Sequence, residues 1–327
     1  MKISIQELKA KIIPLFIHLK PAEREVIADY LIYAEMCGGG IGTQGIAKLA
    51  GGSPIQDIIP TGEIKAQRET PVSALLDGAG NPGILIAQKA ADIAIEKAKK
   101  AGVSIVTAHN FRSSNGAQSY YVEQIAKQDL IGIMCSRSSS TAVAFGSIDP
   151  IFGTNPVGYA FPTTSDPIVF DAATSAMTFY GCVIANARGE KLPEGIAFDK
   201  DGNPTTNPAD VIEDGALAPF GNSYKASGFA MLAELLAGPL ANGAFIDNKT
   251  YDKEWGAAIV AIDPKILVDM DKFKKDCSAL VAAIRAARAK PGDMIRLPYD
   301  RARENYNASL ASGTVEIDEV IYGKIFG

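Results

Sequence analysis

Residues 151–181 read IFGTNPVGYAFPTTSDPIVFDAATSAMTFYG, and this stretch constrains the surrounding fold more than any other. A Gly-Thr-Asn-Pro turn leads into an apolar run over 157–161, the chain breaks over 163–167, and a second apolar run covers 168–170. That run ends in Asp171, Ala172, Ala173, Thr174 and Ser175, so an acid and two hydroxyls follow a buried strand with small residues between them. Two arrangements use such a pattern. One is a strand followed by a helix N-terminus, which Asp, Thr and Ser cap well. The other is a ligand corner, where small residues let a cofactor's backbone or ribose approach polar groups.

The remainder of the chain bounds the class of protein. Its 327 residues, 47% hydrophobic and 21% charged, suffice for a large core in two substructures. The net charge is −5 with acids and bases interleaved, so no basic stripe calls for nucleic acid and no polybasic tail calls for a membrane surface. No apolar run nears the roughly 20 residues of a bilayer span, and MKISIQELKA lacks the apolar core of a signal peptide. The expected location is cytoplasmic, which suits Cys37, Cys135, Cys182 and Cys277 as separated, reduced thiols. With His18 and His109 the only histidines, and no carboxylate cluster beside either, no metal site is expected.

In chain order, helical spacing runs from Ser4 to residue 38 with breaks at Pro14 and Pro21, and Ser4 precedes Glu7 as in a capping box. Two helices are expected, the second from about Pro21 to Met36. His18 among Phe16, Ile17 and Leu19 reads as a surface or core residue. Residues 37–50, CGGGIGTQGIAKLA, set five glycines before a short helical pattern. Such a loop either brings backbone and free N–H groups to an anion or is a flexible connector; without GK[ST] it is no Walker loop. Residues 51–71 read as surface connection, and 84–100 as a helix with an apolar face at Ile86, Ala90, Ile93 and Ala94, stopped by Gly102.

A strand over 103–107 delivers the loop HNFRSSNG at 109–116, and loops past strand ends are favoured catalytic positions in α/β proteins. His109 is either an acid/base group, since imidazole titrates near neutrality, or a plain strand-end residue. A helix over 120–128 and a strand over 130–135 precede SRSSST at 136–141, a loop that either holds an anion or is solvated. Asp199, Asp201 and Asn203 mimic part of a calcium loop, but Asp210 stands where a bidentate Glu would be needed, so a tight turn is expected. Residues 219–228, PFGNSYKASG, put polar, small and aromatic groups before an apolar helix over 229–236. Strand 255–262, helix 271–290 and a terminal strand and helix within 313–327 complete the chain.

Taken together, Gly153-Thr154-Asn155-Pro156, Asp171 to Ser175, Ala34-Glu35, Leu192-Pro193-Glu194-Gly195, residues 201–206 (DGNPTT), Lys225 and Ala261-Ile262-Asp263-Pro264 resemble, in order, the malate/L-lactate dehydrogenase family. That is the non-Rossmann group including ureidoglycolate dehydrogenase, diketogulonate reductase, sulfolactate dehydrogenase and piperideine-carboxylate reductase. The resemblance implies a mixed α/β fold. A helical N-terminal domain over 1–73 would be completed by 266–327, with a cofactor-binding domain over 74–265, in a homodimer. The absence of a GxGxxG motif after a strand agrees with a non-Rossmann site.

The same resemblance assigns roles. Thr43-Gln44-Gly45 and Lys48 resemble Ser-His-Gly followed by a basic residue that holds the substrate carboxylate, so Thr43 and Lys48 are expected at the substrate. Gln44 replaces a histidine; a carboxamide orients a carbonyl but delivers no proton. A second family histidine falls on Ser114, counted back from Tyr120-Tyr121. His109 is the imidazole left as proton donor, with Gln44 and Lys48 beside it in the chemistry. Asp171, Ala173, Thr174, Ser175, Tyr224 and Lys225 are expected to bind NAD or NADP. Leu297-Pro298-Tyr299-Asp300 resembles a degraded turn near the cofactor.

The activity implied is NAD(P)H-linked reduction of a small 2-oxo acid or cyclic imino acid, or the reverse oxidation. The alternative, prompted by the two replaced histidines, is a member that has exchanged redox chemistry for ligand binding, or for a lyase or isomerase reaction.

Overall fold

The computed structural model describes residues 1–39, 44–50, 54–243 and 255–327. The N-terminal piece comprises β1 (Lys2–Ser4), α1 (Ile5–Ile12), α2 (Pro21–Gly38) and the short α3 (Ala47–Ala50). Ser4 caps α1 by accepting from the Glu7 N–H, and Glu23 accepts from the Lys20 N–H at the start of α2. Thr43 lies outside the described residues.

Next come β2 (Lys65–Thr70), β3 (Ser73–Asp77), α4 (Gly83–Ala101), β4 (Val103–His109), α5 (Ser119–Ala126) and β5 (Ile131–Arg137). The middle of the chain adds β6 (Ala142–Val143), β7 (Pro150–Phe152), β8 (Val157–Phe161), β9 (Ile168–Ala172), α6 (Phe179–Arg188), β10 (Ala197–Phe198), α7 (Pro208–Glu213) and β11 (Ala216–Leu217). The last part carries α8 (Tyr224–Ala237), β12 (Gly256–Ile262), α9 (Met270–Arg285), α10 (Asp300–Ser312), β13 (Thr314–Glu316) and α11 (Glu319–Phe326).

The main sheet has the order β2-β3-β4-β12-β5-β8-β9. Among the described strands of this sheet only β3 and β4 run parallel; the other neighbours are antiparallel, with β12 inserted between β4 and β5. The fold is thus mixed α/β, without the run of parallel strands that a Rossmann site needs. A second sheet, β10-β11-β6-β7, has its own small core of Phe152, Cys182, Leu192, Val211 and Leu217. β1 pairs with β13, so the two chain ends close on each other.

Burial follows the local patterns. In α4, Ile86, Ala90, Ala94 and Ala98 are buried at intervals of four, and Gly102 ends the helix at φ 84 with its N–H on Ala98 O. Small residues on that face let the helix lie close to the sheet. The C-terminal segment is stitched to α2 and α5 by polar contacts: Tyr299 meets Tyr33 and Cys37, and Arg303 donates to Glu123 at 2.5 Å.

Four readings of the sequence need revision. Residues 65–70 lie in what reads as surface connection, yet form β2. Every residue of that edge strand is exposed, so no alternating apolar signal marks it. Arg137 is buried in β5 rather than carried on a loop, with its Nε 3.5 Å from Glu234 of α8. Helix 271–290 ends at Arg285, and the helix expected over 229–236 already begins at Tyr224.

Candidate active site

Lys48 lies at the heart of the site. α3 presents it with 1% of its surface exposed. Its Nζ donates to Ser114 Oγ at 2.7 Å and stands 4.4 Å from the centre of the Tyr180 ring. Burial pushes its pKa down to about 7, and no carboxylate among the described residues opposes that shift. Three distant parts of the chain therefore meet here: α3, the loop after β4 and the first turn of α6.

The turn at Gln44-Gly45-Ile46 is held by Glu35 of α2. A Glu35 oxygen accepts from the Ile46 N–H at 2.6 Å, and a Cβ at Gly45 would lie 2.0 Å from that oxygen. Burial pushes Glu35 up to about 8. Gln44 itself is half-buried in this turn, four residues before Lys48.

The loop carrying Ser114 is equally constrained. Gly116 has φ 82, and a Cβ there would fall 1.8 Å from Tyr30 Oη. Tyr30 Oη accepts from the Ala117 N–H, while Asn115 donates to Gly83 O at 3.0 Å and accepts from Tyr121 Oη through its carbonyl at 2.7 Å. Ser114 Oγ accepts from the Gly116 N–H at 3.0 Å as well as from Lys48.

His109 has other partners. It ends β4 opposite Asp77 of β3, and its Nε2 lies 3.0 Å from Gln67 Oε1 of β2. Burial lowers its pKa, with Asp77 acting the other way. The structure places Lys48 and Ser114 in contact, but gives His109 no contact with either.

A second corner forms where residues 174–176 meet residues 218–220. Phe220 N–H donates to Thr174 O at 3.0 Å, Ala176 N–H to Ala218 O at 2.8 Å, and Ser175 bridges Pro219. The chain then turns through Gly221, at φ 60, into α8, where Ser223 caps by accepting from the Lys225 N–H at 3.2 Å. Asp171 to Ser175 and Tyr224-Lys225 are thereby brought into one region. Asp171 caps α5 across the sheet by accepting from the Ser119 N–H at 2.9 Å, and burial raises its pKa. It does not start a helix of its own; α6 begins later, capped by Thr178.

Thr174 Oγ1 donates to Thr154 O and Asn155 O, and Ser175 Oγ to Met177 O at 2.6 Å. Their hydroxyl protons are spent on the backbone and both side chains are buried, so a ligand would meet the half-buried Ala173 beside Asp171 before either hydroxyl. Tyr224 is 67% exposed and Lys225 is exposed. A Cβ at Gly221 or Gly228 would meet nothing within 4 Å, which leaves room beside the helix start. A lysine and an aromatic face at the positive end of a helix form a set that suits a nicotinamide dinucleotide. Asn155 of the Gly-Thr-Asn-Pro turn anchors α8, donating to Ala230 O at 3.2 Å and to Glu234 at 2.9 Å.

The likeness to known proteins runs along almost the whole chain. The family model described as malate/L-lactate dehydrogenase matches residues 3–325. The chain belongs to the malate/L-lactate dehydrogenase family. It is 31% identical to the malate/(S)-sulfolactate dehydrogenase of Methanothermus fervidus, over 99% of this chain and 96% of that protein. It is 34% identical to the Δ1-pyrroline-2-carboxylate/Δ1-piperideine-2-carboxylate reductase of Pseudomonas syringae pv. tomato, over 73% of this chain and 69% of that one. The solved sulfolactate dehydrogenase of Methanocaldococcus jannaschii superposes with a TM-score of 0.84 at 28% identity, covering 99% of this chain and 95% of its own.

As a member of the malate/L-lactate dehydrogenase family the chain is a dehydrogenase-type oxidoreductase. Sequence reasoning about this member missed three groups at the site. Glu35 was noted only as part of a matching motif, although Ile27, Leu31 and Glu35 share one buried helix face, a position where a carboxylate needs explanation. Tyr180 carries no such signal, because its contact with Lys48 depends on how α6 packs. Glu234 sits in an apolar helix and is buried against Arg137 and Asn155, an assignment only the tertiary fold makes. Among the described residues no group of three His, Cys, Asp or Glu side chains could hold a metal ion.

Proposed function

We propose that this dehydrogenase reduces a small 2-oxo acid or a cyclic imino acid with NADH or NADPH, and runs the reverse oxidation of the 2-hydroxy acid. The observation that carries the reading is the pairing of residues 174–176 with 218–220, which sets the Asp171 to Ser175 corner beside the first turn of α8. Lys225 and the α8 N-terminus would hold the dinucleotide pyrophosphate, and Tyr224 a ring or ribose. The bound dinucleotide supplies or accepts the hydride. Gln44, Lys48 and Ser114 line the substrate side; Gln44 orients the carbonyl and Lys48 brings positive charge near the acid. Relatives named for malate, sulfolactate and Δ1-pyrroline-2-carboxylate support this substrate range.

A homodimer fits the surface of α8. Phe229, Leu232 and Leu235, three residues apart, are half-exposed, with Phe220 beside Phe229 at a ring distance of 6.4 Å. Apolar area of this kind on one helix marks an interaction face. A cytoplasmic location accords with four free cysteines, and no described helix is long and apolar enough to cross a membrane.

Fluorescence titration with NADH and NADPH, followed by a panel of oxaloacetate, sulfopyruvate and Δ1-pyrroline-2-carboxylate, tests the reading. Saturable binding of one dinucleotide with turnover of a panel member supports it. Absence of binding by both refutes it.

A further inference from the structure

We propose that Lys48 and Ser114 form the proton-delivering pair of this site, Ser114 passing its hydroxyl proton to the oxygen of the reduced carbonyl as Lys48 passes an ammonium proton to Ser114. The inference rests on the reductase reading above. Ser114 Oγ accepts from Lys48 Nζ at 2.7 Å and from the Gly116 N–H at 3.0 Å. A hydroxyl has two acceptor lone pairs and one proton to donate. Both acceptor sides are filled by protein, so the O–H is left for a third group, and the loop that fixes Gly116 fixes its direction.

Lys48 suits the other half of the pair. It is buried and lacks a carboxylate partner among the described residues, and an aromatic face 4.4 Å away compensates only part of its lost hydration. A lysine whose pKa falls to about 7 can give up its proton near neutral pH, which an exposed lysine cannot. His109 is engaged with Gln67 instead.

The step balances. When C2 takes up the hydride, the carbonyl π pair moves to oxygen, where an O–H bond forms as the Ser114 O–H bond breaks. Ser114 oxygen takes a proton from Lys48, leaving a neutral amine that solvent protonates before the next turnover. In the oxidation direction the neutral amine receives the proton. A cyclic iminium already carries its N–H proton and draws none from the pair.

Other titratable groups surround α3: Glu35 on α2, Asp57 on the turn Ile55–Asp57, Tyr180 on α6, and Glu319, Tyr322 and Lys324 on α11. Any of them can share in the pH response, so the test reads Lys48 itself.

In the full-length protein without dinucleotide, NMR of 13C-labelled lysine should show Lys48 titrating near 7, and Ser114→Ala should move that titration lower by removing an acceptor from the charged form. With dinucleotide, Ser114→Ala should cut kcat for oxaloacetate roughly 10²–10⁴-fold with KM little changed, while Δ1-pyrroline-2-carboxylate reduction is lowered only a few-fold. Lys48→Arg, which keeps the charge but yields no proton, should abolish the fall of oxaloacetate kcat above neutral pH.

An ordinary lysine titration, or one that Ser114→Ala leaves in place, overturns the pair. So does Lys48→Arg or Lys48→Met that raises KM alone and keeps the pH limb, since Lys48 is then only a carboxylate anchor. Loss of the limb in His109→Ala alone overturns it too. Failure of both NADH and NADPH to bind is a separate result, overturning the reductase reading and the relay with it whatever Lys48 titrates at.

Discussion

Replacing Glu35 with Gln should alter stability in a way that only pH reveals. Glu35 is buried, accepts from the Ile46 N–H at 2.6 Å, and has its pKa pushed up from 4.5 to about 8 by burial. The folded state therefore binds a proton that the unfolded chain releases above 4.5. Stability from that proton is fully present below pH 4.5 and is lost as pH rises toward 8. Each pH unit inside the window costs about 1.4 kcal/mol. From pH 4.5 to 7 the parent should lose roughly 3 kcal/mol relative to Glu35→Gln, which keeps the acceptor oxygen and has no proton to lose. Lys48 contributes with opposite sign: its pKa is lowered to about 7, so its stability term rises with pH only between 7 and its ordinary value. Comparing the variants between pH 4.5 and 7 therefore isolates Glu35. Urea unfolding at half-unit intervals, with a common m-value, supplies the difference. Parallel pH profiles for parent and Glu35→Gln would refute the argument, because they would mean Glu35 is solvated or paired in the folded protein.

Three further outcomes can be checked directly. Gly116→Ala should destabilise by about 2 kcal/mol or more, since it strains a φ of 82 and sets a methyl against Tyr30 Oη; the midpoint of thermal unfolding checks it. Arg303→Met should cost about 3 kcal/mol, because it leaves the buried Glu123 carboxylate, held below its usual range by Arg303 and Lys127, with Lys127 as its one cationic partner among the described residues; urea midpoints read this. On the proposed cofactor site, Lys225→Ala should weaken dinucleotide binding about tenfold, with a shallower dependence on salt, since one charge-assisted contact worth about 1.4 kcal/mol would be lost; fluorescence Kd values at two ionic strengths measure it.

Periodicity and turn chemistry act between neighbours in the chain, and whatever depends on them was readable in advance. The burial of Ile86, Ala90 and Ala94 in α4, the stop at Gly102, the capping of α1 by Ser4 and the strands β8 and β9 all follow from residues within a few positions of each other. The match of motifs along the whole chain placed it among the dehydrogenases for the same reason, because each motif is local. Contacts between residues far apart were decided only in three dimensions. No spacing rule connects Lys48 with Ser114 and Tyr180, or Arg137 with Glu234, and β2 joins the sheet with every residue exposed. Lys48 reads in sequence as a charge beside a glycine-rich loop. Burying it, and setting a hydroxyl and an aromatic ring against its ammonium, takes the joint packing of α3, α6 and the loop after β4, and that packing changes its proton affinity.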